Sequence, residues 1–360
     1  MRRLNDKLFR SPRLCLVMLA LCAPVLSPAQ QLFWSQFGSE MGSVSLVGRM
    51  NLDGSGSVTL VQSNALAGME SLSATRQVYW IDNGAAAIMR ANADFSGVTM
   101  LVEGLGGGNH LNLALDPAAD LIFWSNAERG TIGRANLRGG PILGTFPSAG
   151  GYPDDLALDP TNQLLYWSTQ RGGVFRSHYD GSGQIELMTF GTSLGSGASG
   201  LALDLVAGTM YLSIPNDHRI VRANLDGTGV QTVLATAERP FGMELLNGRM
   251  YWADLDDGRL RSANLDGTAP ATILENLSLP RQVSIMAVPG APQLSVTRSG
   301  SAELRITWAA DFTSYVLEHA ASLPATDWAG VTNSVTVTGD YLSATVDIGG
   351  GKRFFRLRKP

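Results

Sequence analysis

Three observations predict an all-β chain, a six-bladed β-propeller followed by a small antiparallel β-sandwich. An aromatic-Trp pair recurs with a period of about 43 residues. Each period holds short apolar runs separated by Gly, Asp and Asn turns, and no apolar pattern of helical period outlasts one turn. Beyond Val288-Pro289-Gly290-Ala291-Pro292 the repeat stops and shorter alternating runs replace it.

The elements follow in chain order. "MRRLNDKLFRSPR" is a basic stretch, "LCLVMLALCAPVL" an apolar one, and Ser27 and Ala29 are small residues at the spacing a signal peptidase reads. Residues 1–29 are therefore expected to be a secretory signal, with the mature chain starting at Gln30 and directed outside the cell or into the cell envelope. The apolar stretch is shorter than the roughly 20 residues that span a bilayer. Both cysteines, Cys15 and Cys22, fall in the leader, so the exported chain is expected to stand without a disulfide. Removing the leader takes away five basic side chains and one acidic one, which moves the formal charge from −4 to −8. An acidic chain lacks the basic footprint that nucleic acid or an anionic membrane surface requires.

The second aromatic of each pair falls at Trp34, Trp80, Trp124, Trp167, Leu212 and Trp252, with spacings of 46, 44, 43, 45 and 40. Each unit continues through a loop, an "IVRANLDGTG"-like segment, a β-branched run and an "LALDP"-like run. Four short strands per period make a propeller blade. Only Gln30 to Phe33 precede Trp34, too few for an "LALDP"-like strand, yet "PRQVSIMAV" (280–288) follows the last unit as a spare. That strand is expected to complete the N-terminal blade, closing the ring and covering an open edge. The propeller thus spans 30–288, a linker 289–292, and a second domain 293–360.

The segments "FWSN", "YWID", "YWAD", "LALDP" and "IVRANLDGTG" resemble the YWTD, or class B, repeats of the low-density lipoprotein receptor family, over about 31–287. The resemblance implies a six-bladed propeller. The motif's Asp stands as Asp82 and Asp254, while Gln36, Asn126, Thr169 and Ile214 occupy its place in the other blades. From 293 onward "AELRITWAA", "SYVLEHA", "SVTVTG", "LSATVDI" and "RFFRLR" alternate with period two. With Trp308 and Tyr315 they resemble the fibronectin type III or immunoglobulin-like modules of secreted bacterial proteins. "KRFFRLRK" reads as an anionic-surface patch or, by its alternation, as a sandwich strand with one charged face.

Loop lengths separate the two faces of the ring. The turns after strands one and three are short and stereotyped, as in "DPTNQ" and "LDGTG". The loops after strands two and four vary, and variable loops on a rigid scaffold carry function. The binding face is therefore expected there. Its candidates are Glu128, Arg129, Arg171, Asn216, Asp217, His218, Asp256, Asp257 and Arg259 as a polar rim of mixed sign, with Phe37, Met41 and Phe241 as exposed apolar anchors.

Other chemistry is sparse. Asp254, Asp256 and Asp257 in "DLDDG" are the candidate metal ligands, because clustered carboxylates suit calcium, but Leu265 stands where an EF-hand loop needs Glu. The plainer reading of the trio is a solvated turn, so no metal is expected. "GTSLG" (191–195) matches a nucleophile elbow around Ser193 without the helix that must follow. His110, His178, His218 and His319 show no zinc-ligand spacing. Asn276-Leu277-Ser278 is an N-glycosylation sequon only in a host that glycosylates. Asp116, Asp159 and Asp204 recur at the ends of first strands, which fits a turn-fixing hydrogen bond.

The expectation is a secreted, non-enzymatic propeller without a cofactor, binding a protein or glycan ligand or associating with the cell surface. Its rivals are a propeller hydrolase, lyase or lactonase with a channel-mouth metal, and a structural cell-envelope protein. An enzyme needs three or more carboxylate, Asn or His side chains from different first strands meeting in the channel. The "LALD" strands offer mostly Leu, Ala and Gly.

Overall fold

A computed structural model describes residues 30–36, 45–63, 66–191, 197–235 and 237–286, and in the C-terminal part 295–298, 303–309, 316–321, 327–331, 335–338, 341–347 and 354–358. The expected leader (1–29) and linker (289–292) lie outside the described residues. The chain divides into two compact units, one spanning Ala29–Val288, the other containing Pro289–Pro360.

The first unit holds six four-stranded antiparallel sheets, the blades of a propeller. Blades two to six run consecutively from inner to outer strand, and begin with Leu66–Leu72, His110–Asp116, Pro153–Asp159, Gly200–Asp204 and Pro240–Leu246. Blade one is composite. Its inner strand is Pro280–Met286, which pairs with Gln31–Gln36 in a register that sets Trp34 against Val283. Each inner strand touches its two neighbours, and the ring closes where Pro280–Met286 meets Leu66–Leu72.

The aromatic-Trp pair builds the blade boundaries because adjacent strand residues point to opposite faces of the sheet. In blade two Trp80 packs against Phe33 and Val47 of blade one, while Tyr79 packs against Leu113 and Trp124 of blade three. Blade four repeats this, Trp167 facing Phe123 of blade three and Tyr166 facing Leu212 of blade five. Six clusters of this kind, each shared by two neighbouring blades, are the core of the propeller. Close packing also selects residues opposite the indole. Gly133 lies across from Trp124, and a Cβ there would stand 2.3 Å from the ring.

The repeated "NLDG[ST]" turn has one hydrogen-bond pattern. Asp226 Oδ1 accepts from Thr228 N–H at 2.9 Å and from its hydroxyl at 2.6 Å, while Asn224 Nδ2 donates to Thr228 Oγ1 at 2.9 Å. Asp53, Asp94 and Asp266 repeat it with Ser55, Ser96 and Thr268. The strand-one aspartates fix their turns as well: Asp116 accepts from Ala118 and Ala119 N–H at 3.0 Å and Asp159 from Asn162 N–H at 3.1 Å. Their recurrence is a structural device of the turn.

In the C-terminal unit two small antiparallel sheets share a core of Leu304, Ile306, Trp308, Leu317, Leu342, Ala344 and Val346. Phe354–Arg358 is a strand of that unit, and its Arg356 and Arg358 pair with Glu318 at 2.8 and 2.7 Å. The basic end of the chain is thus a charged strand face with its own counter-ion.

Candidate functional site: the channel and its two ends

Glu128, Arg129, Arg171, Asn216, Asp217 and His218 fall in connections between second and third strands and are exposed. Asp256 and Asp257 lie in the equivalent turn of blade six, and Arg259 opens the strand that follows it. Many of these side chains are already engaged. Asp217 pairs with Arg219 at 2.8 Å, Arg171 lies 4.7 Å from the Tyr152 ring centre, and His218 Nδ1 meets the Glu238 carbonyl. Phe37 and Met41 lie outside the described residues.

One expected anchor needs correction, and the candidate metal trio is not assembled. Phe241 is no exposed anchor: it is 8% exposed, with the guanidiniums of Arg239 and Arg281 at 5.6 and 4.9 Å from its ring centre. It sits on an inner strand and lines a neck and a pocket at the variable end of the channel. Asp254, Asp256 and Asp257 do not gather into a calcium cage. Asp254 is fully buried and accepts from Arg239 and Glu238 N–H at 2.6 and 3.2 Å, Asp256 pairs with Arg239 at 3.3 Å, and Asp257 with Arg259 at 3.0 Å and with Arg261. Each carboxylate is thus engaged by arginine or backbone N–H donors of its own. Among the described residues no group of three or more His, Cys, Asp or Glu is placed to hold a metal.

The motif's fourth position serves the same loops by different means. Asp82 and Asn126 accept from the N–H three residues on, at 3.0 Å in both cases, and Thr169 Oγ1 accepts from Gly173 N–H at 3.0 Å. Ile214 has no such atom, and the chain there turns through a short 3-10 helix, Pro215–Asp217. His110 is a core residue, 1% exposed, held between Asn83 and Asn126 at 2.9 and 3.0 Å. Burial, first of all, lowers its pKa and keeps the ring neutral.

The channel contains what the sequence reading did not find there. Two inward positions per inner strand line it, one before and one after an aliphatic residue. In phase they read Gly68/Glu70, Asn112/Ala114, Asp155/Ala157, Gly200/Ala202, Gly242/Glu244 and Gln282/Ser284, and of these Glu70, Asn112, Ala114, Asp155, Ala157, Ala202, Glu244 and Gln282 line the cavity. Polar side chains from five of the six strands therefore converge. Bulges set this up: in blades three, four and six two inner-strand residues oppose one on the next strand, as Leu111 and Asn112 do Ser125. The serines after Trp secure the bulges. Ser125 Oγ accepts from Asn112 N–H at 3.0 Å and donates to the Asp154 carbonyl of the next blade at 2.8 Å, and Ser168 Oγ accepts from Asp155 N–H at 3.1 Å.

Asp155 is 3% exposed and accepts from Leu156 and Leu201 N–H at 2.9 and 2.8 Å and from Asn112 Nδ2. Burial pushes its pKa up to about 8, against the pull of those donors. Burial likewise raises Glu70 and Glu244, and Glu70 is raised further by the charges of Glu244 and Asp155. Glu244 accepts from Ile285 N–H at 2.5 Å, and Ser284 Oγ accepts from Ser71 N–H at 2.9 Å, so channel side chains tie blade six to blade one and blade one to blade two. Gly242 permits the close approach, since a Cβ there would meet Gln282 Oε1 at 2.0 Å.

A cavity of about 300 Å³ occupies the short-turn half of the channel, lined by Glu70, Asn112, Asp155, Glu244, Gln282 and aliphatic side chains such as Leu158 and Leu203. A pocket of about 180 Å³ opens on the variable face, where Asp154, Gln170, Asn216, Arg239, Phe241 and Arg281 meet. Between them lies a neck of about 10 Å³ that shares Asn112 and Gln282 with the first and Asp154, Phe241 and Arg281 with the second. The sequence signal was available. Set in phase on the aliphatic residue, "MESL" and "MELL" put Glu where "LALD" puts Ala. Reading the repeat by its commonest copy concealed the departures.

Residues 120–160 match the low-density lipoprotein receptor repeat class B family, one unit of the six. No curated protein matches the chain at a significant level. Among solved structures, a chain of the nidogen/laminin complex is 18% identical, with TM-score 0.63, covering 72% of this chain and 99% of that one. TolB from Acinetobacter baumannii is 11% identical, with TM-score 0.58, covering 72% and 67%. A Bacteroides thetaiotaomicron protein of unknown function is 14% identical, with TM-score 0.50, covering 77% and 87%. These likenesses are of fold. No helix among the described residues is long and apolar enough to cross a membrane.

Proposed function

We propose that the chain is an exported, non-enzymatic binding protein that engages a protein or glycan through the variable face of its propeller, with the C-terminal module as spacer or attachment. The contrast between the two faces supports this reading. One is built of repeated aspartate turns whose side chains serve their own backbone. The other carries dissimilar charged side chains around a pocket of about 180 Å³. The likeness to a chain of the nidogen/laminin complex adds to it, since that propeller fold occurs there in an assembly between proteins.

The test uses the mature chain as bait on surface extract, followed by affinity measurement with the captured ligand. Replacing Asp256 and Asp257 with Ala removes the Asp256 partner of Arg239 and the Asp257 partner of Arg259 and Arg261, leaving Glu275 beside Arg259 and Asp254 beside Arg261, and is expected to weaken binding by about tenfold. Asp226→Ala, in the opposite turns, removes the acceptor of two turn hydrogen bonds and should lower the melting temperature by about 2–4 °C while leaving affinity unchanged. Lost affinity in folded Asp226→Ala, with binding intact in the loop variant, would invert the assignment of the faces.

One observation favours the enzyme reading: Glu70, Asn112, Asp155 and Glu244 come from four inner strands, which meets the convergence that reading demanded. Carboxyls of raised pKa suit general acid chemistry. Turnover of ester and lactone substrates that disappears in Glu70→Gln would establish it.

A further inference from the structure

On the reading that the variable face is the working one, we propose that its pocket holds a hexuronate, the acidic end unit of a glycan, with the carboxylate at Arg239 and Arg281. Two guanidiniums gather there, 5.6 and 4.9 Å from the ring centre of Phe241. They come from different blades: Arg239 precedes the inner strand of blade six, and Arg281 lies on the inner strand of blade one. The lining sets a single acid against them, Asp154, which is 5% exposed. Asp154 stands 3.9 Å from Arg281, too far for a hydrogen bond, and burial raises its pKa, which weakens it as a counter-ion. Arg239 gives one of its five N–H donors to Asp256, at 3.3 Å on the exposed rim. The pocket is thus locally positive in a chain of formal charge −4. Guanidiniums take carboxylates through paired, charge-assisted hydrogen bonds, so an anionic group is what this pair selects.

The rest of the lining decides what carries the carboxylate. Gln170, Ser199 and Asn216 offer amides and a hydroxyl, groups that both donate and accept, as sugar hydroxyls do. An Asp or Glu side chain of a protein would bring an apolar stem, and the pocket has little apolar wall to receive it. Pro215 is buried, and Phe241 is 8% exposed with both guanidiniums over its ring. The depth agrees with a sugar at the end of its chain. A volume of about 180 Å³ closes inward to a neck of about 10 Å³, room for no more than about one water. Asp154, Ser199, Phe241 and Arg281 belong to both and form the floor, while Gln170, Asn216 and Arg239 stand nearer the mouth. A glycan can enter by its end and cannot thread through. Its carboxylate then meets Arg281 at the floor and Arg239 beside it, and its hydroxyls meet Gln170 and Asn216.

Calorimetric titration of the protein at pH 7 with D-galacturonate and D-glucuronate, each beside its methyl ester, and with a blocked triglutamate peptide tests the proposal. The expected result is saturable binding of at least one uronate, weaker by about tenfold in Arg239→Gln and in Arg281→Gln, and weaker to the same degree for its ester. Arg138→Gln makes the same change of charge in a turn of the opposite face and should leave binding unchanged. Asn216→Ala alters an exposed loop side chain and is expected to weaken binding by about threefold, which keeps the test decisive should circular dichroism show Arg281→Gln unfolded. Equal binding of acid and ester, unchanged binding in the arginine variants, tighter binding of the peptide than of either uronate, or no binding of either uronate overturns the site. If no uronate binds while a captured ligand is lost on replacing Asp256 and Asp257, the pocket assignment falls and the variable face stands, so the two readings fail separately.

Discussion

A chain ending at Leu279 is expected to lack a folded propeller, whereas one ending at Ala291 is expected to melt like the full chain in its propeller transition. Removing Pro280–Met286 strips the inner strand from blade one, leaves Gln31–Gln36 paired on one side only, and opens the ring between blades six and two. It also removes Val283, Ile285 and Met286, which are 1%, 7% and 0% exposed, and the bonds Ile285 N–H to Glu244 and Ser71 N–H to Ser284. Three buried side chains at about 1.5–3 kcal/mol each already amount to most of the roughly 5–15 kcal/mol by which domains are stable. Near-ultraviolet circular dichroism and limited proteolysis decide the matter. If the shorter chain keeps a cooperative melt, blade one does not depend on its clasp.

Stability of the propeller should fall as pH rises from about 5 to about 8, by on the order of 3 kcal/mol or 5–10 °C in melting temperature. The groups responsible are Glu70, Asp155 and Glu244, whose pKa values in the folded chain lie above the ordinary carboxylate range because burial disfavours their charge. As pH passes through that ordinary range the unfolded chain loses these protons while the folded chain keeps them, so the unfolded state gains until the folded groups also titrate. The turn aspartates work in another window. Ser and Thr donors lower the pKa values of Asp53, Asp94, Asp226 and Asp266, so their contribution is lost only as pH falls below about 4. Glu70→Gln with Glu244→Gln should flatten the fall above pH 5, because a glutamine carries no charge and still offers Ile285 N–H an acceptor. Asp155→Asn is the wrong probe, since its amide donor would face N–H groups. A pH-independent melting temperature in the wild type would show that these acids ionise freely in the folded chain.

Architecture was legible because the repeat states it many times over. Trp34, Trp80 and Trp124 mark blades by a side chain too large to vary without moving a neighbour, and the spare "PRQVSIM" strand follows from counting strands. The channel was not legible by the same method. Its chemistry resides where a repeat departs from itself, at Glu70 and Glu244 in place of Ala and at Asn112 and Asp155 in place of Gly. A consensus suppresses such positions. Phe241 was misplaced for a related reason: it belongs to the inner strand Pro240–Leu246, at a bulge that counting loop residues does not reveal. The trio of aspartates looked like a cation site because sequence shows the carboxylates and hides the arginines that strand pairing sets beside them, Arg259 across from Asp254 and Arg261 two pairs further in.

The alternation that sends each Trp toward one neighbour also makes the ring report optically on itself. Trp34, Trp80, Trp124, Trp167 and Trp252 are at most 3% exposed, and each belongs to a different boundary: six with one, one with two, two with three, three with four, and five with six. Separation of blades at any of these places carries an indole from an apolar contact toward water and moves its fluorescence to longer wavelength. The boundary between blades four and five has Leu212 instead and is dark. Emission therefore follows opening of the ring everywhere but there, and an indole placed at Leu212 would complete the set.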